Sequence, residues 1–261
     1  MEKKFNHHRG AYLDHNGARI YYEVTGNPTG PALLFLHGGF GNLNDATPIL
    51  AGLSNDYKLV GIESRGHGQS SRDEQPLTYE LLQRDVEAVL NHLKIDKMTI
   101  IGFSDGGIVA YRLAAFTTLT IDKIITIGSR GYVRHTDVNR ANWMKLTGDV
   151  MQNRQPIYYE AYQQLNPVPD FDRLIKDLVA MWLDPTAAGH PNEAIKTIAC
   201  PVLIVRGDED ILLPREAAFD VARDIPDSKL LNIPFANHAA FTDQSEVFLS
   251  IANMFLTQPT P

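Results

Sequence analysis

Short runs of hydrophobic residues alternate along most of the chain with longer stretches in which hydrophobic positions recur every three to four residues. The short runs predict β-strands and the longer stretches predict α-helices, and this alternation is typical of an α/β fold with a mainly parallel sheet. The run Ala-Leu-Leu-Phe-Leu at residues 32–36 has no polar position, which favours a strand covered on both faces. The further strands predicted in this way are residues 58–62, 98–101, 123–127, 202–205 and 229–233.

The first two strands are predicted to form a hairpin. Residues 11–14 and 19–24 are rich in residues that favour strands, and the Asn16-Gly17 pair between them suits a tight turn. With the hairpin included, we expect a mostly parallel eight-stranded sheet with helices on both faces. The helices predicted around this sheet are residues 79–93, 106–116, 214–223, which begins with Pro214, and 245–255.

One long segment, residues 131–197, contains no strand-like run. We expect it to form a helical cap inserted into a core domain that comprises residues 1–130 and 198–261. Both tryptophans, Trp143 and Trp182, lie in this segment, where they either pack within the cap or line a pocket against the core. The helices predicted in the cap are residues 138–151, 156–165, 171–183 and 193–198.

Composition and charge narrow the class of protein. The chain has 261 residues, of which 44% are hydrophobic, so it can bury a sizeable core. It carries 24 Lys and Arg against 31 Asp and Glu, and this net charge of −7 argues against a nucleic acid partner. The single cysteine, Cys200, leaves no partner for an intrachain disulfide and no cysteine-rich zinc site.

Neither a secretory signal nor a membrane helix is predicted. The first ten residues are not followed by an apolar run, and every purely apolar stretch is far shorter than the roughly 18 residues that a membrane helix needs. We therefore expect a cytoplasmic protein without a membrane partner.

A serine lies in the pattern Gly-x-Ser-x-Gly at residues 102–106, between a predicted strand and a predicted helix. In this context the pattern is typical of a nucleophile elbow, a sharp turn that exposes the serine hydroxyl. The glycines let the strand and the helix approach closely, and the N-terminus of the helix favours a developing oxyanion. We therefore predict that Ser104 is a catalytic nucleophile.

A serine hydroxyl becomes a good nucleophile only when a base accepts its proton. His238 is the candidate base, because it follows the last predicted strand, where an α/β fold exposes functional groups. The acid that orients the histidine is expected after the preceding strand, where Asp208 and Asp210 fit equally well on local chemistry. Glu209 between them is expected to point away, since neighbours in an extended chain face opposite sides.

These segments together resemble the α/β-hydrolase fold superfamily, and the resemblance extends from about Gly17 to Phe255. Besides the elbow, residues 36–41, LHGGFG, look like the oxyanion loop of that family, and residues 63–70, ESRGHGQS, are similar to its D-x-R-G-x-G-x-S loop. In that family, the loop that corresponds to residues 207–214 carries the catalytic acid at the position of Asp210. The resemblance therefore favours Asp210 over Asp208. It also implies a serine esterase-like branch with a helical cap, with some similarity to biphenyl-hydrolase-like enzymes that cleave amino-acid esters.

The chain departs from the family pattern at two positions. Glu63 stands where aspartate is usual, and we expect this change to matter only for the structure of the loop. Asn237 precedes His238 where glycine is common, and asparagine tolerates the left-handed backbone better than most residues. The serine nucleophile itself argues against the dehalogenase and epoxide hydrolase branches, which use a carboxylate.

The predicted reaction is the hydrolysis of a small carboxylic ester through an acyl-enzyme. His238 accepts the proton of Ser104, and Asp210 orients the imidazole and stabilises its charged form. The oxyanion is expected to bind the backbone N–H groups of Asp105 and Gly39, with Phe40 as the alternative to Gly39. The expected partner is a small-molecule acyl substrate, and no metal or organic cofactor is expected.

Other polar residues of these loops have structural or specificity roles in the prediction. We expect His37, His67 and Arg65 to brace their loops by hydrogen bonds. For Asp105 two interpretations remain open. Its carboxylate can simply favour the helix N-terminus, by about 0.3–1 kcal/mol. Alternatively, it can face the pocket and attract substrates with a cationic group, such as amino-acid esters.

The same triad also serves lactonases, amidases, C–C bond hydrolases and cofactor-free perhydrolases, and the sequence does not separate these activities. An alternative from a different class is a non-catalytic hydrolase homologue that binds a ligand. A long-chain lipase is less expected, because no large apolar surface helix is evident. The acyl group, the leaving group and the oligomeric state do not follow from the sequence.

Overall fold

The computed structural model describes residues 4–53, 55–133 and 139–259. Within these residues eight strands form a single sheet. Numbered along the chain, they are β1 (Ala11–His15), β2 (Ala18–Gly26), β3 (Ala32–Leu36), β4 (Lys58–Ile62), β5 (Lys97–Phe103), β6 (Thr120–Ile127), β7 (Val202–Gly207) and β8 (Ser228–Ile233).

The sheet is antiparallel at one edge and parallel elsewhere. β1 pairs with β2 through a turn in which Asn16 and Gly17 have φ values of 46° and 83°, the backbone that a tight hairpin turn requires. β2 is also antiparallel to β4, and the later pairings are all parallel. The strand order is β1-β2-β4-β3-β5-β6-β7-β8, which confirms the predicted mostly parallel eight-stranded sheet.

Helices connect the strands and cover both faces of the sheet. Numbered along the chain, they are α1 (Thr47–Ala51), α2 (Tyr79–His92), α3 (Asp105–Phe116), α4 (Arg140–Trp143), α5 (Gly148–Arg154), α6 (Pro156–Leu165), α7 (Phe171–Trp182), α8 (Arg215–Asp224), α9 (Ala240–Asp243) and α10 (Ser245–Thr257).

Two hydrophobic cores lie on opposite sides of the sheet. Helices α2 and α3 pack into one core, and helices α1 and α10 pack into the other. Strand β3 supplies both cores, since Leu34 belongs to the first and Leu33 to the second. This alternation follows from the strand geometry, in which successive side chains point to opposite faces. The apolar run at residues 32–36 is therefore a strand covered on both sides, as its composition predicts.

The segment between β6 and β7 is helical, but its first helix differs from the prediction. The prediction of a single helix at residues 138–151 is wrong, because the described part of this range forms α4 and the start of α5 with a break between them. Thr147 is the N-cap of α5, and its side chain accepts a hydrogen bond from the amide of Val150. Val138 lies outside the described residues. The predicted last helix is a 3₁₀ helix at Asn192–Thr197. The assignment of residues 131–197 as a separate cap domain stays a prediction.

Other boundaries lie close to those predicted. Pro214 precedes α8 rather than opening it, because its ψ of 152° is extended. Helices α1 and α9 are absent from the prediction, since four or five residues are too few to show a helical repeat. Among the described residues, no helix has the length and apolar character to cross a membrane.

Candidate active site

Ser104 lies in a sharp turn between β5 and α3. Its φ of 51° and ψ of −116° are strained for a residue with a side chain, and its amide donates to Ile127 O at 2.7 Å. Glycine is required on both sides of the turn. A Cβ at Gly102 would lie 2.5 Å from Gly106 O, and a Cβ at Gly106 would lie 2.2 Å from Leu36 O. The predicted elbow therefore forms because the backbones of strand and helix nearly touch.

Three of the predicted residues form a hydrogen-bonded line. His238 Nε2 lies 3.0 Å from Ser104 Oγ, and His238 Nδ1 lies 2.9 Å from Asp210 Oδ2. Asp210 is buried, and its other oxygen, Oδ1, accepts the amides of Leu212 and Leu213 at 2.8 and 3.0 Å. These two bonds fix the carboxylate and leave Oδ2 for the imidazole. An ionised carboxylate only accepts, so Nδ1 carries the proton and Nε2 faces the serine as an acceptor.

The structure separates the two aspartates that local chemistry left equivalent. Asp208 faces away from His238 and binds Arg215, whose Nε and Nη2 lie 2.8 and 2.6 Å from its oxygens. The hydrogen bonds from Asn232 and Arg215 lower the pKa of Asp208. Glu209 is exposed. Of the three acidic residues in this loop, Asp210 is the one that contacts the histidine.

The loop after β3 lies directly beside Ser104. A Cβ at Gly38 would lie 2.9 Å from Ser104 Cβ, and a Cβ at Gly39 would lie 2.7 Å from Asp105 Oδ2. The amide of Asp105 is the first of α3 and therefore has no acceptor within the helix. Within the described residues, no backbone carbonyl accepts a bond from the amides of Gly39 or Phe40. The choice between Gly39 and Phe40 as second oxyanion donor stays a prediction.

His37 and His67 contact backbone groups of the two loops that follow β3 and β4. His37 Nε2 accepts the amide of Ser64 at 3.0 Å, and its Nδ1 lies 2.7 Å from Gly38 O. His67 Nδ1 lies 3.1 Å from Arg65 O. Burial lowers the pKa of both histidines to about 4. Both rings are therefore neutral near pH 7, and the contact between His37 and Ser64 ties the loop after β3 to the loop after β4.

Arg65 is buried in a cluster of acceptors. Its Nε and Nη2 donate to the two oxygens of Asp85 at 2.9 and 2.7 Å, and its Nη1 lies 3.1 Å from Asp73. These contacts anchor the loop after β4 to helix α2.

Glu63 has a partner that the sequence did not indicate. The buried carboxylate lies 2.6 Å from His7 Nε2 and accepts the amide of Leu43 at 3.3 Å. Burial alone would lower the pKa of His7, but the hydrogen bond and the charge of Glu63, with the charge of Glu23, raise it. The glutamate thus connects the N-terminal segment to the loop after β3. No local pattern marks His7, because 56 residues separate it from Glu63.

The loop that carries His238 adopts the left-handed backbone at a different residue from the one expected. Phe235, with φ 59°, has the left-handed conformation, whereas Asn237 does not. The amide of Asn237 donates to Asp243 Oδ2 at 2.7 Å. The position before His238 therefore needs neither glycine nor a left-handed asparagine.

A cavity of about 70 Å³ lies against Ser104 and His238. Trp143 and Trp182, in the helical segment between β6 and β7, both reach it, so they line a pocket rather than pack only among the helices of that segment. Helices α2 and α3 supply Tyr79 and Ile108. The further lining residues are Asp105, Gly128, Arg130, His190 and Leu212.

The Asp105 carboxylate is held by two neutral donors. Tyr79 Oη donates to Oδ1 at 2.8 Å, and Trp182 Nε1 lies 3.0 Å from Oδ1 and 2.9 Å from Oδ2. Burial raises the pKa of Asp105, against the opposing effect of these hydrogen bonds. The carboxylate therefore faces the cavity and helix α7, and its bonds do not cap the first turn of α3.

His190 lines the cavity and was not identified from the sequence. Its ring packs edge-on against Tyr79 at 4.9 Å, and its Nδ1 is buried without a hydrogen-bond partner among the described residues. Burial lowers the pKa of His190 to about 3, so the ring is neutral. The chain has 9 histidines, and no spacing or repeat distinguishes His190 from the others. In the described part of the chain, no group of three or more His, Cys, Asp or Glu side chains could hold a metal ion.

The chain is similar to known hydrolases in sequence and in structure. The family model described as alpha/beta hydrolase fold matches residues 31–165. "Serine hydrolase BPHL" of Homo sapiens is 27% identical over 253 residues, which cover 92% of this chain and 84% of the relative. A "Putative esterase/lipase" of Haemophilus influenzae is 34% identical over 107 residues, 41% of this chain and 37% of that protein.

Among solved structures, a hydrolase from Pseudomonas aeruginosa PA01 superposes with a TM-score of 0.79 at 20% identity. The superposition covers 97% of this chain and 100% of that chain. This similarity shows the fold, and the matched family supports a hydrolytic activity. Since the family model covers more than half of the sequence, the chain belongs to the alpha/beta hydrolase fold family.

Proposed function

We propose that the protein is a serine hydrolase that cleaves small carboxylic esters through an acyl-enzyme. The observation that carries the proposal is the line of hydrogen bonds from Asp210 through His238 to Ser104, with distances of 2.9 and 3.0 Å. The serine and the histidine also border the cavity, where a substrate can reach them.

In the proposed reaction, Ser104 Oγ attacks the acyl carbonyl while His238 Nε2 takes its proton. Asp210 stabilises the imidazolium that forms, and the imidazolium then protonates the departing alcohol. Water, activated by the same histidine, cleaves the acyl-enzyme and regenerates Ser104. The products are a carboxylic acid and an alcohol.

The negative charge on the carbonyl oxygen is bound by two backbone amides in this proposal. One belongs to Asp105, and the other belongs to Gly39, with Phe40 as the alternative. Each such donor is worth about 3 kcal/mol of barrier height. The proximity of Gly38 to Ser104 supports this role, because it brings the loop after β3 within reach of the reacting carbonyl.

The size of the cavity favours a short acyl group. Its volume is about 70 Å³. An apolar protein cavity of about 150 Å³ accommodates benzene, so this one suits an acyl chain of only a few carbon atoms. The proposed cap, residues 131–197, supplies Trp143 and Trp182 to its wall and so contributes to this restriction.

The test is hydrolysis of p-nitrophenyl acetate, butyrate and octanoate by the wild-type protein and by Ser104→Ala. We expect turnover that decreases with chain length and disappears in Ser104→Ala. Ser245→Ala, a serine at the start of the remote helix α10, is the matched control and should retain wild-type turnover. A fluorophosphonate should add to the wild-type protein, with the modified peptide containing Ser104.

Two outcomes contradict the proposal. Turnover that persists in Ser104→Ala would exclude Ser104 as the nucleophile. Absence of turnover with simple esters, lactones and amides by the folded wild-type protein would favour the non-catalytic ligand-binding alternative.

A second candidate is a preference for esters whose acyl group carries an ammonium group. Its support is the environment of Asp105, a buried carboxylate whose partners among the described residues are the neutral donors Tyr79 and Trp182. Among the described residues, no Lys or Arg side chain binds this carboxylate directly. Together with Trp143, the same residues present aromatic rings to the cavity, and aromatic faces attract ammonium ions.

The test compares alanine p-nitrophenyl ester with p-nitrophenyl propionate, which lacks only the amino group. We expect the ratio of their kcat/KM values to favour the alanine ester in the wild-type protein and to fall in Asp105→Asn. An equal ratio in both proteins would show that the carboxylate does not select the ammonium group.

A further inference from the structure

Trp182, the last residue of α7, contacts both chain segments that supply the proposed oxyanion donors. Its Nε1 donates to Asp105, at 3.0 Å from Oδ1 and 2.9 Å from Oδ2. Asp105 directly follows the nucleophile, and its own backbone amide is the first proposed donor. The indole therefore holds the side chain of the residue whose peptide group must face the oxyanion.

The same indole packs against the second segment. A Cβ at Gly39 would lie 3.2 Å from Trp182 Cζ2 and 2.7 Å from Asp105 Oδ2. The ring of Phe40 meets the indole edge-on, with centroids 5.8 Å apart and an interplanar angle of 87°. Whichever of Gly39 and Phe40 donates to the oxyanion, Trp182 is in contact with it.

Phe40 needs such support because its backbone is strained. Its φ of 61° lies in the left-handed region, which costs a residue with a side chain about 1–3 kcal/mol unless its surroundings hold it there. The ring of Phe40 stacks on Phe171 at 5.5 Å and meets Trp182 on another side. Both partners belong to α7, so this helix holds the strained loop.

Helix α7 is in turn attached to the core. Arg173 Nη2 lies 2.8 Å from Glu74, and Asp177 forms an ion pair with Arg72. Both partners of α7 lie in the segment between β4 and α2. A helix fixed in this way offers a rigid base for the indole at its C-terminal end.

We propose that Trp182 is a positioning residue that aligns the two oxyanion donors by binding Asp105 and packing on residues 39–40. This inference rests on the proposed acyl-enzyme mechanism and deepens it. Oxyanion donors act only when they lie at hydrogen-bond distance from the place the oxyanion will occupy. Loss of the indole N–H leaves Tyr79 as the remaining donor to the Asp105 carboxylate and loosens the alignment. The transition state therefore loses more stabilisation than the bound ester.

The main test is Trp182→Phe, which removes the N–H group but keeps an aromatic ring against Phe40. With p-nitrophenyl acetate we expect kcat to fall by about 10- to 100-fold, the effect of a displacement of about 1 Å, while KM changes little. The inhibition constant of methylboronic acid, which forms a tetrahedral adduct with an active serine, should rise by the same factor as kcat falls. A change in packing alone would not raise the inhibition constant by the same factor by which it lowers kcat.

Trp143→Phe is the matched comparison, since Trp143 also lines the cavity and packs on Trp182 at 5.4 Å. Among the described residues, Trp143 forms no hydrogen bond with Asp105. We therefore expect Trp143→Phe to change KM rather than kcat. A double-mutant cycle adds Asp105→Ala, which keeps the backbone amide. If Trp182 acts through Asp105, Trp182→Phe should cost nothing further in the Asp105→Ala background.

If Trp182→Phe is too unstable for kinetics, benzothienylalanine at position 182 provides a second variant, with sulfur in place of the N–H group. An unchanged kcat in the folded variants, or additive losses in the cycle, would overturn the inference.

The proposed function fails separately, through activity that persists in Ser104→Ala. If Ser104→Ala is inactive and Trp182→Phe keeps its kcat, only the role of Trp182 is wrong.

Discussion

At the scale of single residues, two aspartates that lie two positions apart have opposite environments. Asp210 is buried. One of its carboxylate oxygens accepts hydrogen bonds from two backbone amides, and the other lies at hydrogen-bond distance from His238. Asp208 is partly exposed and pairs with Arg215. A carboxylate that neutralises a developing imidazolium must be fixed and shielded from water, and Asp210 meets both conditions.

Asp210→Asn should therefore lower kcat for a small ester by about 10³- to 10⁴-fold, because the amide favours the wrong imidazole tautomer and cannot stabilise its charge. Asp208→Asn is the control, with the same chemical change two residues away, and its kcat should stay close to the wild-type value. Steady-state kinetics at pH 7.5 measures both. A larger loss in Asp208→Asn than in Asp210→Asn would reverse the assignment.

At the scale of elements, the elbow depends on contact between β5 and α3. The Gly-x-Ser-x-Gly pattern predicts this turn because glycine is the residue type that lets two backbones approach so closely. The segment between β6 and β7 shows what the spacing of hydrophobic residues cannot predict. Its hydrophobic positions predict one helix at residues 138–151. In the structure the helix is interrupted before Thr147, whose side chain caps a second helix. The spacing of hydrophobic residues therefore does not show where a helix is interrupted, and α4 has no buried residue.

Gly102→Ala should destabilise the protein and abolish ester hydrolysis. The added methyl group would lie 2.5 Å from Gly106 O and 2.6 Å from Gly107 Cα, and these backbone atoms have no room to move. We expect a loss of about 1–3 kcal/mol or more in the free energy of unfolding, measured with urea.

Gly148→Ala is the matched control, since the atom nearest to its added methyl group is a side-chain oxygen of Asp172 at 3.1 Å. Its free energy of unfolding should stay near the wild-type value, because alanine favours the helix and the carboxylate can shift. Equal stabilities for the two variants would contradict the proposed crowding at the elbow.

At the scale of the whole molecule, the N-terminal segment closes over the sheet. Phe5 is buried in the core that includes α1 and α10, and His7 pairs with Glu63. Both contacts join residues from distant parts of the sequence. The segment thus contributes to the stability of the whole domain rather than forming a loose extension.

Phe5→Ala should lower the free energy of unfolding by about 3–5 kcal/mol, the usual cost of removing a buried aromatic ring. Phe219→Ala makes the same change at a side chain that is 61% exposed and should have little effect. Urea denaturation of the two variants provides the comparison. Similar losses in both would mean that the N-terminal segment does not pack against the core.

Stability should also depend on pH through three buried histidines. The pKa values of His37 and His67 are lowered to about 4, and that of His190 to about 3, by burial. In the unfolded chain these groups titrate near pH 6.5. Between that pH and about 4 the unfolded chain binds more protons, so the free energy of unfolding falls as the pH decreases.

Urea denaturation at pH 7.5, 6.0 and 5.0 tests this dependence. His190→Leu should show a smaller decrease than the wild-type protein, and His8→Leu, at an exposed position, should show the same decrease. His7 acts in the opposite sense, because its pKa is raised: its contribution is complete below pH 6.5 and is lost as the pH rises through the raised value. An unfolding free energy that does not decrease toward pH 5 would contradict this account.

The sequence by itself determined the alternation of strands and helices, the elbow at Ser104 and the loops that carry Asp210 and His238. These features are local, since each depends on residue types within a few positions of one another. The parallel sheet then aligns the carboxyl ends of β5, β7 and β8, so three local signals meet at one edge.

Only the tertiary structure decided which distant side chains complete the site. Trp182 and Asp105 are 77 positions apart, and His7 and Glu63 are 56 positions apart. Neither pair leaves a periodic or short-range signal, because their contact depends on how helices and loops pack after the sheet has formed. The partners of Asp105, the small cavity and the neutral His190 follow from that packing. Ser104 and His238 were already evident along the chain, whereas the local sequence left Asp208 and Asp210 equivalent and the resemblance favoured Asp210.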